Sequence, residues 1–174
     1  MQFLFLSPPS ILPPLDPRVL RDIEEHIGDL TLMDAKSTLV LMIRGTKYLL
    51  GSAVLMPRSS TEVREMHLGI RGKCLELREF QIFPRYRGKG YGQLFLQSVI
   101  SHAEKNKTPL KLDVWRSNKT AIHCYEKAGF CKFPMSHPAT QWINTPDNLF
   151  KMYNIHPHST KDKACVYIMY VKTG

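Results

Sequence analysis

The stretch from Arg85 to Phe95, RYRGKGYGQLF, constrains the fold more than any other part of the sequence. Its three glycines alternate at Gly88, Gly90 and Gly92, and basic side chains stand before and between them. The β-prone run ELREFQIFP precedes this stretch, and LFLQSVISHAEK, which has helical character, overlaps its end and continues beyond it. The sequence therefore predicts a strand, a glycine turn and a helix in direct succession.

A turn of this kind is suited to binding phosphate. The start of a helix offers unpaired backbone N–H groups and a partial positive charge, and glycines permit close approach and unusual dihedral angles. Neither the P-loop pattern GxxxxGK[ST] nor the dinucleotide pattern GxGxxG is present, and a plain turn with a helix cap is the alternative. We predict a diphosphate site at Arg87, Gly88, Lys89, Gly90, Tyr91 and Gly92.

Strand-like and helix-like segments alternate along the rest of the chain. We predict strands at 2–6, at 73–83, 110–115, 130–133 and 165–171, and on both sides of a turn at 44–47 within 38–57. Helices are predicted after Asp16-Pro17, after the glycines to about residue 105, and from the N-cap Asn118 to Gly129. This order predicts an α/β fold with a mixed central sheet and flanking helices.

Two segments do not fit this alternation. Residues 58–72 are polar and predict an excursion between two strands, and 134–163 predict a long insertion-like segment with one helical turn near 148–154. That second segment covers a sheet edge or forms one wall of an acceptor site. A length of 174 residues fits a single domain over 1–174.

The net charge and the cysteine content limit the possible binding partners but do not identify one. The 24 basic and 15 acidic residues give a formal net charge of +9, which favours anionic partners. The four cysteines lack CxxC spacing, so we expect reduced thiols in an intracellular protein, cytoplasmic or nuclear, and no metal. The alternative is zinc, with candidate ligands Cys124, Cys131, His137, His156, His158 and Cys165. No signal peptide, transmembrane helix or membrane partner is expected.

Two blocks resemble the GCN5-related N-acetyltransferase (GNAT) superfamily. RGKGYG, at 87–92, is similar to the family pattern [RQ]xxGx[GA], in its usual place after a strand and a proline. The block NKTAIHCYEKAGF, at 118–130, resembles NxxAxxxYxxxGF. The resemblance covers about 38–133 and implies the acyl-CoA N-acyltransferase fold, with a mixed, mostly antiparallel sheet.

The resemblance also implies a reaction, in which an acetyl group moves from acetyl-CoA to a primary amine by direct attack. The amine belongs to a protein or peptide lysine, an N-terminus or a small molecule. The backbone of Phe80, Gln81 and Ile82 would pair with the pantetheine arm of acetyl-CoA, and the glycine turn would hold its diphosphate. Asn118 would contact the cofactor or cap its helix, and Tyr125 would act as the acid, with packing on Phe130 as the alternative.

Three candidates for the general base stay open, namely two carboxylates and water. Glu76 matches a family glutamate on the fourth strand, and Asp113 matches a base position on the fifth. Strand alternation places Glu76, Arg78, Phe80 and Ile82 on one face, with Glu79 on the other. For Glu76 and Asp113, an ordinary ion pair with a neighbouring arginine is the alternative, and His123 is expected on the helix surface.

A second class of function stays open, in which a catalytically degenerate fold binds nucleic acid or a partner protein. The basic surplus supports that class, and the intact glycine turn argues against it. We therefore expect acetyl-CoA and an amine acceptor as partners, leave a homodimer open, and do not favour nucleic acid.

Overall fold

The computed structural model describes residues 1–7, 14–27, 36–153 and 166–171. Its strands are β1 (Gln2–Leu6), β2 (Thr38–Arg44), β3 (Tyr48–Arg58), β4 (Cys74–Ile82), β5 (Leu110–Trp115), β6 (Cys131–Lys132) and β7 (Val166–Val171). They form one seven-stranded, mostly antiparallel sheet in the order β1-β2-β3-β4-β5-β7-β6. The predicted fold class is confirmed, since helices flank this mixed sheet.

The helices are α1 (Pro17–His26), α2 (Ser60–Glu65), α3 (Tyr91–Lys105), α4 (Lys119–Lys127), α5 (Pro138–Ile143) and α6 (Pro146–Tyr153). The predicted start of α1 is confirmed, because the Asp16 carboxylate accepts from the Arg18 N–H and Pro17 opens the helix. In the part of the chain that the structure describes, no helix is both long and apolar enough to cross a membrane.

The chain divides into two compact units, 1–57 with 77–99 and 58–76 with 100–174. In the first unit β1, β2 and β3 form an antiparallel meander, with Leu6 opposite Leu39 and Thr38 opposite Leu55. Gly45, with a φ of 60°, makes the turn of the β2–β3 hairpin. The Phe3 and Phe80 rings both pack on Phe95 of α3, which is completely buried.

In the second unit β7 lies between β5 and β6 and is antiparallel to both. The apolar sides of α2, α5 and α6 pack on this part of the sheet in one cluster, to which Val63, Ala139, Ile143, Leu149 and Ile168 belong. Burying these side chains is what makes such short helices stable, since helices of six to eight residues do not persist alone.

Two connecting segments contain more helix than the sequence predicted. The stretch 58–72 contains α2, because the Ser59 hydroxyl and the Glu62 carboxylate cap each other's backbone in a capping box. The described part of 134–163 contains two helices in place of one turn, α5 and α6, each opened by a proline. The strand predicted at 130–133 is shorter than expected, Cys131–Lys132, and Pro134 follows shortly after it.

Candidate active site

The glycine turn between β4 and α3 forms as predicted. A 3-10 turn at Pro84–Tyr86 leads into it, and Gly88 and Gly90 have φ angles of 72° and 79°. A Cβ atom at either glycine would meet no atom within 4 Å. Glycine is therefore required by the left-handed dihedral angles, and the space beside both Cα atoms is open.

The backbone N–H groups of this turn point to an anionic ligand. Among the described residues, the N–H groups of 88–92 have no hydrogen-bond acceptor. The Gly90 carbonyl accepts from the N–H groups of Gln93, at 3.1 Å, and Leu94, at 3.4 Å, and so caps α3. Five consecutive unpaired N–H groups at the start of a helix favour the binding of an anion.

The basic side chains around the turn fall into two groups. Arg85 Nη2 pairs with Asp22 Oδ2 at 2.8 Å, so its charge is balanced. Arg87 Nε donates to the Ile82 carbonyl at 2.9 Å, and Lys89 Nζ donates to the Arg85 carbonyl at 3.5 Å. Neither Arg87 nor Lys89 has a carboxylate partner in the described part of the chain, so both charges are available to a ligand.

Strand β4 changes its conformation just before the turn. Glu79 is exposed and has a φ of 51°, a left-handed value in the middle of a strand, as in a β-bulge. The positive φ of Glu79 disturbs the regular alternation that the sequence predicted along β4 from Glu76 to Ile82. Left-handed dihedral angles at residues other than glycine are strained and are frequent at functional sites.

Residues 80–82, the predicted pantetheine-pairing segment, are held firmly within their unit. The Phe80 ring packs on Phe95 at 5.2 Å, and Gln81 Nε2 donates to Ser52 Oγ at 3.0 Å. A Cβ atom at Gly51 would collide with the Gln81 carbonyl oxygen, so Gly51 is required by close packing. The turn and the strand end that precedes it are therefore built on a rigid support.

In the second unit Glu76 and Asp113 belong to one buried ion-pair network, which also contains Arg58 and Lys111. Arg58 Nε donates to Glu76 Oε2 at 2.5 Å, Arg58 Nη2 also lies 2.5 Å from that oxygen, and Lys111 Nζ lies 3.1 Å from Glu76 Oε1. Lys111 Nζ also donates to both Asp113 oxygens, at 2.9 and 3.0 Å, and the Tyr153 hydroxyl donates to Asp113 Oδ2 at 2.8 Å. Two cations thus face two buried carboxylates, and Arg58 also pairs with the Glu62 carboxylate at 3.0 Å.

Burial gives this network its electrostatic character. Lys111 is 1% exposed and Glu76 is 2% exposed. Burial alone would lower the pKa of Lys111, but the Asp113 and Glu76 carboxylates outweigh it and the pKa is raised. The same balance raises the pKa of Arg58, where Glu76 and Glu62 outweigh burial. Both bases therefore stay charged in the folded protein.

Three members of this network, Arg58, Lys111 and Tyr153, were not predicted from the sequence as site residues. Part of the signal for such a network was nevertheless present in the sequence. In LKLDVW, Lys111 and Asp113 are two residues apart on a strand and therefore share one face. A lysine between leucines in a buried strand requires an anionic partner. Arg58 and Tyr153 could not be found in the same way, because they come from the end of β3 and from α6.

Helix α4 carries the remaining candidates. Asn118 Oδ1 accepts from the Ala121 N–H at 3.1 Å, so Asn118 caps this helix as predicted. The Tyr125 ring packs edge-on against Phe130 at 5.9 Å, and burial raises the pKa of Tyr125 to about 12. A tyrosine with this pKa holds its proton at neutral pH and can donate it. His123 is exposed, as expected.

The zinc ligands considered from the sequence do not converge in the described part of the chain. No three His, Cys, Asp or Glu side chains come together there as a metal site. His156, His158 and Cys165 lie outside the described residues.

Comparisons with known proteins identify the family and the fold. A sequence model of the acetyltransferase (GNAT) family matches residues 5–130. No curated protein sequence matches the chain. A chimera built on the spermidine N-acetyltransferase of Vibrio cholerae is 17% identical and has a TM-score of 0.58, and the match covers 99% of this chain and 96% of that one.

Two further solved structures are similar. An acetyltransferase of Bacillus subtilis in complex with CoA is 16% identical with a TM-score of 0.56, over 87% of this chain and 83% of that one. A dodecameric spermidine N-acetyltransferase of Vibrio cholerae is 18% identical with a TM-score of 0.51, over 89% and 72%. At these identities the likeness is one of fold.

Proposed function

The chain belongs to the acetyltransferase (GNAT) family, and from this premise we propose that it transfers the acetyl group of acetyl-CoA to a primary amine of a polypeptide. The observation that supports this proposal most directly is the row of unpaired N–H groups at 88–92 beside Arg87 and Lys89. A diphosphate matches that row in charge and in hydrogen-bonding need.

The residues present fit acetyl-CoA in three respects. The open space at Gly88 and Gly90 lets a phosphate approach the backbone, and two uncompensated cations stand beside it. Glu79, with its left-handed φ of 51°, lies in β4 just before the segment 80–82 that would pair with the pantetheine arm. When bound, acetyl-CoA supplies a thioester, whose acyl carbon is open to attack by an amine.

Side chains of this protein would then donate and accept the protons of the reaction. Tyr125, which holds its proton at neutral pH, donates it to the departing sulfur. Glu76 and Asp113 stay the proposed acceptors of the amine proton, directly or through water. Lys111 already binds both carboxylates, so neither is free to accept the amine proton while that ion pair persists. We therefore expect the rate to rise with pH as the acceptor amine loses its own proton.

The proposed acceptor is a polypeptide in preference to a polyamine. A formal net charge of +9 repels a polycation, and Asp22 of α1 already pairs with Arg85. The similar Vibrio cholerae structures are named as spermidine N-acetyltransferases, so spermidine is the matched competitor. We also propose that the protein forms a homodimer and is intracellular.

Calorimetric titration of the purified protein with acetyl-CoA, and then with CoA, tests the donor half of the proposal. We expect one site per chain for both ligands. The acceptor half is tested by the kcat/KM for lysine peptides against that for spermidine. Binding of neither nucleotide would contradict the proposal, and a higher kcat/KM for spermidine would contradict the polypeptide acceptor alone.

A further inference from the structure

A pocket of about 520 Å³ lies in the second unit, and none of its described lining residues is among those assigned above to acetyl transfer. Helix α2, the loop 67–72 and Pro138 line it. Three of the lining residues are basic, namely Arg64, His67 and Arg71, and among the described residues that line it none is acidic. We call it the α2 pocket. Its lining favours an anionic ligand.

The basic side chains of the α2 pocket are available to a ligand. All three are exposed, and the described residues offer none of them an ion-pair or hydrogen-bond partner. Elsewhere in the same unit Arg58 has two carboxylate partners and Lys132 has one. Like charges that gather around a concave surface without a carboxylate repel each other, and an anion would relieve that repulsion.

His67 occupies a strained position in this pocket. Helix α2 ends in a Schellman motif, in which the N–H of His67 donates to the Arg64 carbonyl and the N–H of Leu68 donates to the Val63 carbonyl. His67 takes the left-handed position of the motif, with a φ of 54°. A residue with a Cβ atom is disfavoured there, and glycine is the usual occupant.

Helix α4 provides an internal comparison, because it ends in the same motif. There the N–H of Gly129 donates to the Glu126 carbonyl, the N–H of Phe130 donates to the Tyr125 carbonyl, and Gly129 has a φ of 100°. The motif is therefore satisfied by glycine in α4, whereas α2 holds a histidine whose side chain has no partner among the described residues. Lys107 takes the same position at the end of α3, with a φ of 49°, so the motif also accepts residues other than glycine and the strain alone does not assign this histidine a role.

The walls of the pocket indicate which anion fits. Ile70 and Pro138 are apolar, and among the described residues that line the pocket there is no phenylalanine, tyrosine or tryptophan on which a nucleobase could stack. Arginine binds carboxylates through paired hydrogen bonds. We propose that the α2 pocket binds an acidic segment of a polypeptide, with carboxylates on Arg64 and Arg71 and an aliphatic side chain on Ile70 and Pro138.

The proposal is tested by fluorescence anisotropy with a labelled octapeptide of alternating glutamate and leucine, at low salt and without acetyl-CoA. We expect saturable binding by the native protein and at least about tenfold weaker binding by Arg64→Glu/Arg71→Glu. The matched control is Lys47→Glu/Lys105→Glu, which changes the net charge equally at exposed residues elsewhere. An equal loss of peptide binding in both double variants, or no loss in Arg64→Glu/Arg71→Glu, would overturn the proposal.

A second variant separates binding from folding. His67→Gly removes the strain and the imidazole together, so we expect a higher Tm and weaker peptide binding. A higher Tm with undiminished binding would remove His67 from the pocket's ligand set. A labelled single-stranded oligothymidylate serves as the competing ligand, and tighter binding of it, lost in Arg64→Glu/Arg71→Glu, would overturn the polypeptide assignment.

Discussion

Gly88 and Gly90 show how single residues determine the turn, because their dihedral angles, and not a lack of room, require glycine. The pattern RGKGYG was sufficient to predict this turn, since backbone conformation at a glycine is a local property. The N-cap role of Asn118 was foreseeable for the same reason, because a cap needs only residues three apart.

Gly90→Glu should abolish binding of acetyl-CoA, because it places a side chain and a negative charge in the open space beside the unpaired N–H groups. Calorimetry measures the loss. Gly45→Glu is the control, since Gly45 also has a positive φ and open space around it, so both variants carry a similar strain of about 1–2 kcal/mol. Normal CoA binding by Gly90→Glu would contradict the assignment of the turn.

Tyr125→Phe should lower kcat roughly 100-fold and leave the affinity for acetyl-CoA nearly unchanged, because only the proton donor is lost. The ring contact with Phe130 is preserved in this variant, so the fold is retained. Steady-state kinetics and calorimetry provide the two readouts. An unchanged kcat with a weakened affinity would assign Tyr125 to binding.

At the scale of elements, the buried ion-pair network joins the end of β3 to β4, β5 and α6. Lys111→Met should lower the free energy of unfolding by about 3–5 kcal/mol, because it leaves Glu76 and Asp113 buried beside each other without Lys111. Urea denaturation measures the change. The triple variant with Glu76→Gln and Asp113→Asn should recover part of it, and no recovery would show that packing, not charge, is the cause.

The capping box of α2 should make stability depend on pH. The Ser59 N–H and hydroxyl lower the pKa of Glu62 below its ordinary value of 4.5. Its stabilising effect is therefore complete above that value and is lost as the pH falls through the lower folded pKa. In Glu62→Gln the Tm, measured by thermal unfolding, should change less between neutral and acidic pH than it does in the native protein. Glu65→Gln, also on α2, is the control and should follow the native protein.

The elements that the sequence predicted are those whose signals are local. Helix α4 has a cap at each end, and β1, β2 and β3 have apolar runs around a glycine turn. Helices α5 and α6 are short and draw their stability from packing on β7. That surface is distant in sequence, so no local pattern could predict it. The partners Arg58 and Tyr153 stayed hidden for the same reason.

At the scale of the whole molecule, the surplus of positive charge should assist the binding of the diphosphate. We expect the affinity for acetyl-CoA to fall roughly tenfold when the salt concentration rises from about 0.05 to about 0.5 M. Calorimetry in a salt series measures it, and Lys89→Gln should show a smaller slope. An affinity that does not change with salt would show that the N–H groups, rather than the charge, dominate binding.

The position of β7 has a consequence for how the chain folds during synthesis. β7 follows β5 and β6 in sequence but lies between them, and β6 pairs with β7. The gap between β5 and β6 therefore closes only after residues 166–171 have left the ribosome, about fifty residues after β5. Until then the edges of both strands are unpaired, and a stalled or truncated chain would expose them to other nascent chains and to chaperones.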